Sequence, residues 1–181
     1  AGLPIYWNKM PHSGVQMKLD RGGGVTVFCG STDIGQGSDS VLATIVAEEF
    51  AIDPEQVIVV TADTDLTPVD LGSYSSRVTL MTGNAAIEAC RPLKEKLLSA
   101  VAEVFQCTSE SLTLSEGRVV SLRDTSKTVD FAEAVQWAEA KFGTLGSVGS
   151  YTPPRRGGKF KGAGVGPVSY THLRAHETRY D

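Results

Sequence analysis

Apolar and polar residues alternate along the first third of the chain. Val15, Met17 and Leu19 alternate with polar neighbours, and Val25, Val27 and Cys29 repeat the pattern after Asp20-Arg21-Gly22-Gly23-Gly24. Period-two alternation on either side of a glycine-rich turn predicts a β-hairpin. From Asp39 to Phe50 the period changes: Val41, Leu42, Ile45, Val46 and Phe50 recur at helical spacing. Asp53-Pro54 marks an exit turn, and the continuous apolar run Val57 to Val60 predicts a short buried strand. A long helical pattern, Val78 to Phe105, carries the stripe Leu93, Leu97, Val101, Val104 and Phe105. Pro92 lies inside it and predicts a kink or a fresh start, because proline has no N–H to donate to the preceding turn.

Leu112 to Leu114 and Val119 to Leu122 flank Glu116-Gly117, a second hairpin pattern. Asp130 and Glu133 are spaced as a capping pair for a helix ending near Phe142, with Gly143 just beyond. The predicted order is strands, helix, strand, helix, hairpin, helix. That is an α+β arrangement without regular βα alternation. From Tyr151 onward the periodicity fades through Pro153-Pro154-Arg155-Arg156-Gly157-Gly158, as expected of an extended surface segment.

Composition narrows the field. The chain has 181 residues, 41% hydrophobic and 21% charged, with a net charge of −4 and scattered basic positions. A globular core is expected, and nothing marks a nucleic-acid surface. No apolar run reaches bilayer length, and the first residues show no secretory leader pattern, so a cytoplasmic location is expected. Cys29, Cys90 and Cys107 are not spaced as zinc or iron–sulfur ligands, and buried or semi-buried thiols are expected.

Two loops could carry chemistry. Gly35-Gln36-Gly37-Ser38-Asp39 runs into the first helix, and Ser73-Tyr74-Ser75-Ser76-Arg77 into the long one. A helix start offers unpaired N–H groups, and glycines let the backbone approach a ligand. Two such starts suit one large anionic ligand, although simple helix capping accounts for the same residues. The phosphate-loop and dinucleotide fingerprints are both absent; Ser40 stands where the dinucleotide pattern needs its third glycine. Asp63, Asp65 and Asp70 lack the glycine and glutamate of a calcium loop, and a surface turn is expected there. His12, beside Pro11, is expected to be an ordinary turn residue.

The two loops together resemble the molybdenum-cofactor-binding large subunit of the molybdenum hydroxylase (xanthine oxidase) family. The resemblance rests on Gly30-Ser31-Thr32-Asp33-Ile34-Gly35-Gln36-Gly37, on Ala62-Asp63-Thr64-Asp65-Leu66-Thr67-Pro68 and on Gly72-Ser73-Tyr74-Ser75-Ser76-Arg77. It extends to the Asp130-Phe131 helix and to Gly149-Ser150-Tyr151-Thr152-Pro153-Pro154, and so covers roughly 1–166. It implies part of a cofactor-binding domain with a mixed sheet and packed helices. Leu3-Pro4-Ile5-Tyr6-Trp7 and Pro11-His12-Ser13-Gly14, with the Gly72 to Arg77 loop, resemble the 4-hydroxybenzoyl-CoA reductase type within the family.

By that resemblance Gln36 bonds the molybdenum centre or the pterin, and Gly35 and Gly37 give backbone access. Ser38 and Asp39 lie near the phosphate end. Ser73, Ser75 and Ser76 face the dithiolene region, and Tyr74 the metal side. Arg77 either neutralises cofactor charge or braces its loop as a structural salt bridge. The implied cofactor is molybdenum–molybdopterin, in the cytosine dinucleotide form. Iron–sulfur clusters and FAD are expected on partner subunits or domains, and the substrate is a small aromatic or aldehyde-type molecule. No direct metal ligand is expected in this chain.

The family's catalytic glutamate sits in a Gly-Glu-Pro-like motif, which does not occur in these 181 residues. The chain is therefore expected to be a piece of a larger subunit, with no catalytic residue of its own and no activity alone. Aldehyde, xanthine or carbon monoxide dehydrogenase large subunits are the alternative enzyme reading. A non-catalytic α+β binding or assembly module is the alternative from another class. The stretch 167–181 resembles translated sequencing adapter and is expected to be a non-native or disordered tail. The i, i+4 pair His172 and His176 falls within it and carries no functional weight.

Overall fold

A computed structural model describes residues 12–74 and 77–153. The first hairpin forms as predicted, with β1 Ser13–Leu19 antiparallel to β2 Val25–Cys29. Its turn is held by the Asp20 carboxylate, which accepts from the Gly22 and Gly24 amides at 2.8 and 3.1 Å. Helix α1, Ser38–Phe50, carries the chain back to β3, Val57–Thr61, which pairs parallel with β2. The two parallel strands with the helix between them make a crossover unit. The last strand, β7 Gly146–Tyr151, adds antiparallel to β1, giving a mixed sheet in the order β3-β2-β1-β7.

One face of this sheet packs on α1 and on the 29-residue helix α2, Arg77–Phe105. Val15, Met17, Val25, Val27 and Cys29 meet Leu42, Val46, Ala85, Ala89, Leu93 and Leu97 in one core. Gly149 decides how closely β7 approaches α2. A Cβ there would sit 2.1 Å from the Ala85 carbonyl oxygen and 2.4 Å from the Ala89 nitrogen. A second sheet, β4 Leu112–Ser115, β5 Arg118–Ser121 and β6 Thr128–Asp130, is antiparallel. Helix α3, Phe131–Phe142, follows it and packs on α2.

The α+β class and the mixed sheet agree with expectation; four details correct it. Helix α2 continues across Pro92 and does not start anew there. Ala86, Ala89 and Cys90 before the proline and Leu93, Leu97 and Val101 after it share one core-facing stripe, so burial outweighs one missing backbone bond. The run Val57 to Val60 is an edge strand rather than a buried one, with Ile58 61% exposed. Asp130 makes no cap bond, and its carboxylate pairs with Arg118 at 2.8 Å. Strands β6 and β7 show no period-two signal; Gly146-Ser147-Val148-Gly149-Ser150 is too poor in apolar residues to announce one.

Among the described residues no helix is long and apolar enough to cross a membrane. Cys29 and Cys90 are buried and Cys107 half-buried, as expected. Burial pushes the Cys90 thiol up to about 12.

Candidate functional site

Parallel strands β2 and β3 end side by side, and the two candidate loops leave from those ends. Residues 30–37 lead into α1, and 62–76 into α2. The carboxyl ends of adjacent parallel strands are where open α/β sheets place ligands. The loops touch. A Cβ on Gly30 would sit 2.2 Å from the Pro68 carbonyl oxygen and 2.8 Å from the Asp70 Cβ. The Thr32 amide donates to Ser73 Oγ at 3.0 Å, and the Ser73 hydroxyl donates back to the Thr32 carbonyl. Both loops open helices at the same end of the fold, as their shared design predicts.

The first loop is organised around Asp33. Its Oδ1 accepts from Gly35 N at 2.8 Å and Gly37 N at 3.3 Å, and its Oδ2 from Asp39 N at 3.3 Å. The bonds from Gly35, Asp39, Gly37 and Gln36 amides hold this carboxyl below the usual carboxylate range. Gly35 and Gly37 have φ of 97° and 75°, the left-handed region that favours glycine, and a Cβ on either would meet nothing within 4 Å. Gln36 is exposed, yet its amide turns into its own loop. Its Nε2 donates to the Thr32 carbonyl at 3.1 Å and Ser38 Oγ at 3.0 Å, and its Oε1 accepts from Ile34 N at 2.6 Å.

Ser38 is buried, and Asp39 lies between α1 and the end of β3. Thr61 Oγ1 donates to Asp39 Oδ2 at 3.3 Å, whereas Asp39 Oδ1 is buried with no hydrogen-bond partner among the described residues. Burial raises the Asp39 carboxyl above its ordinary value, the neighbouring Asp33 charge raises it further, and the Thr61 hydroxyl works against both.

The second loop is organised around Arg77. This side chain is almost wholly buried and ion-pairs with Asp70, equally buried. It also donates to the Gly72 carbonyl at 3.0 Å, to Ser13 Oγ at 2.8 Å and to the His12 carbonyl at 3.5 Å. Ser13 Oγ donates to Asp70 Oδ2 at 2.8 Å, which closes the network. The Tyr74 ring lies under the guanidinium, 5.6 Å from its carbon. Of the two roles weighed for Arg77, the geometry is that of a brace. Ser75 and Ser76 lie outside the described residues.

Sequence reasoning gave no role to Thr32, Asp33 and Ser13, and it expected Asp70 in a surface turn, whereas its carboxylate is buried against Arg77. A signal existed for the two carboxylates. Asp33-Ile34-Gly35 and Asp70-Leu71-Gly72 are both Asp-x-Gly, and each carboxylate accepts from the glycine amide two residues on, at 2.8 and 2.9 Å. Asp63 likewise accepts from Asp65 N at 2.9 Å, and among the described residues no cluster of His, Cys, Asp or Glu suits a metal ion.

A family model for the molybdopterin cofactor-binding domain matches residues 2–176. The chain belongs to that family. The domain is 34% identical over 156 residues to a probable hypoxanthine oxidase of Escherichia coli (strain K12), covering 85% of this chain and 16% of that protein. It is 41% identical over 101 residues to the gamma subunit of the 6-hydroxypseudooxynicotine dehydrogenase complex of Paenarthrobacter nicotinovorans, covering 56% of this chain and 13% of that protein. Its fold matches reconstituted CO dehydrogenase from Oligotropha carboxidovorans with a TM-score of 0.72 and 26% identity, over 78% of this chain and 18% of that one. The domain thus spans less than a fifth of the length of these relatives.

Proposed function

We propose that the paired loops form one wall of a molybdopterin pocket in a molybdenum-dependent oxidoreductase. The observation that carries this reading is their juxtaposition at the carboxyl ends of β2 and β3, with Ser73 bonded to Thr32. The donor set fits an uncharged pterin edge. Gly35, Gly37 and Gly72 leave open space where a Cβ would stand, and Gln36 is exposed between the first two. It suits a phosphate less well, because Asp33 already accepts from the Gly35, Gly37 and Asp39 amides and a second carboxylate, Asp39, adjoins it. Gln36, Gly35 and Gly37 would hold the pterin from one side, and Ser73, Tyr74, Ser75 and Ser76 from the other. Arg77 would keep the second loop in place rather than meet the cofactor. When bound, the molybdenum–pterin group supplies two-electron redox chemistry.

The finer parts of the reading are the cytosine dinucleotide form, partner subunits carrying iron–sulfur clusters and FAD, a cytoplasmic location, and a small aromatic or aldehyde-type substrate. They rest on family resemblance. So does the 4-hydroxybenzoyl-CoA reductase type, whose marker stretch Leu3 to Trp7 lies outside the described residues. The boundary at residue 166 and the 167–181 tail, which rests on its adapter-like sequence, lie outside the described residues. Expressed alone, the 181-residue chain should show no turnover and retain no molybdenum; stoichiometric metal with turnover would overturn that expectation.

The test is Gln36→Ala in the complete enzyme, with turnover, molybdenum content and melting temperature measured on one preparation. A hydrogen bond to a neutral acceptor is worth about 0.5–1.5 kcal/mol, so turnover should fall roughly two- to tenfold if the bond matters in the transition state. Unchanged turnover at full molybdenum loading would remove Gln36 from the site.

A further inference from the structure

Two of the proposed cofactor residues share one acceptor. The Thr32 carbonyl receives the Gln36 Nε2 donor at 3.1 Å and the Ser73 hydroxyl, while the Thr32 amide donates to Ser73 Oγ at 3.0 Å. Ser73 therefore grips both backbone groups of Thr32 from the neighbouring loop. Gln36 Nε2 is held by the same carbonyl and by Ser38 Oγ at 3.0 Å, and its Oε1 accepts from Ile34 N at 2.6 Å. A carbonyl oxygen offers two lone pairs, and a peptide held by one partner presents the other in a fixed direction. We infer that Ser73 is a positioning residue: acting through Thr32, it sets the direction of the Gln36 side chain. The second loop thereby aims the amide of the first. Asp33 holds a different part of the same loop, the Gly35, Gly37 and Asp39 amides, and does not touch the Thr32 carbonyl. The functional consequence rests on the pocket reading; the positioning itself does not.

Amide hydrogen exchange in the full 181-residue chain separates the two. Ile34 is the reporter, because its amide contacts Gln36 and not Ser73. Ser73→Ala should speed exchange at Ile34 on the order of fivefold to tenfold, while Gly37, bonded to Asp33, changes much less. Ser73→Thr keeps the hydroxyl and should restore slow exchange at Ile34. From the other side, Gln36→Ala alters an exposed residue and should speed the Thr32 amide several-fold although that amide bonds Ser73. This second variant decides the matter if Ser73→Ala unfolds the chain. An unchanged Ile34 amide in folded Ser73→Ala, or an unchanged Thr32 amide in Gln36→Ala, would overturn the inference. In the complete subunit, molybdopterin content should fall in Ser73→Ala and recover in Ser73→Thr. Coupled exchange with unaltered cofactor content would leave the positioning intact and remove the pocket reading.

Discussion

The loop after β2 and the loop after β3 each contain an Asp-x-Gly turn with its carboxylate on the glycine amide, and beyond that they differ. The first holds itself together. Asp33 gathers three amides of its own segment, Gln36 bonds Thr32, Ile34 and Ser38, and Ile34 stands 70% exposed. The second is tied to the body of the protein, because Arg77 and Asp70 are buried against Ser13 at the start of β1. A self-bonded crest keeps its shape with little burial, and can turn its polar groups outward at the cost of a few weak bonds. A loop anchored by a buried ion pair cannot move without exposing or orphaning charge. The first loop is thus suited to meet a ligand, and the second to fix where that meeting happens.

The contrast breaks most visibly at Arg77. Arg77→Met leaves Asp70 buried beside an apolar side chain, and removing one partner of a buried pair costs about 3–5 kcal/mol. Denaturant unfolding should register that loss, whereas Gln36→Ala should cost only about 0.5–1.5 kcal/mol. If Arg77→Met proved as mild as Gln36→Ala, the two loops would not be anchored differently.

The seam between the loops comes next. Gly30→Ala would drive a Cβ into the Pro68 carbonyl and Asp70, and overpacking of that kind costs about 1–3 kcal/mol. Gly35→Ala meets open space, so it should be penalised only by its positive φ. Thermal melts of the pair test this; the seam is looser than described if Gly30→Ala is the milder.

A smaller effect distinguishes the carboxylates by pH. The Asp33 carboxyl lies below its ordinary 3.8 in the folded state because amides bond the charged form. Its contribution is therefore present above pH 3.8 and lost as pH falls through the lower folded value. Asp39 lies above 3.8, mainly by burial, so its charge opposes folding at neutral pH and that opposition is relieved as pH falls. Asp33→Asn should flatten the acid limb of a stability-against-pH curve, and Asp39→Asn should stabilise slightly at neutral pH. An unchanged acid limb in Asp33→Asn, or a loss of stability at neutral pH in Asp39→Asn, would contradict the assignment of their partners.

The smallest effect lies in the core behind both loops. The Cys90 thiol, pushed up to about 12 by burial, should resist alkylation in the native state while half-buried Cys107 is labelled first. Mass-spectrometric labelling that found Cys90 modified before Cys107 would mean the helix opens more readily than its packing implies.

Local pattern alone determined much of this domain. The β1–β2 hairpin, α1, the span of α2 and the β4–β5 hairpin follow from periods of two and of 3.6 that any burying fold must respect. The two helix-starting loops were legible as well, since glycine and hydroxyl residues before an apolar stripe have few other uses. Only the tertiary structure decided that α2 continues across Pro92, because the stripe on either side of it is buried. It also placed β7 against α2, where Gly149 has no hydrophobic signature and matters for the side chain it lacks. Above all it decided what the polar loop residues bond. Sequence placed Gln36, Ser73 and Arg77 in two loops, but that Ser73 meets Thr32 and Arg77 meets Ser13 depends on where β1, β2 and β3 lie relative to one another. Short-range patterning fixes which residues can face inward; it carries no information about which distant polar group will be within 3 Å of another.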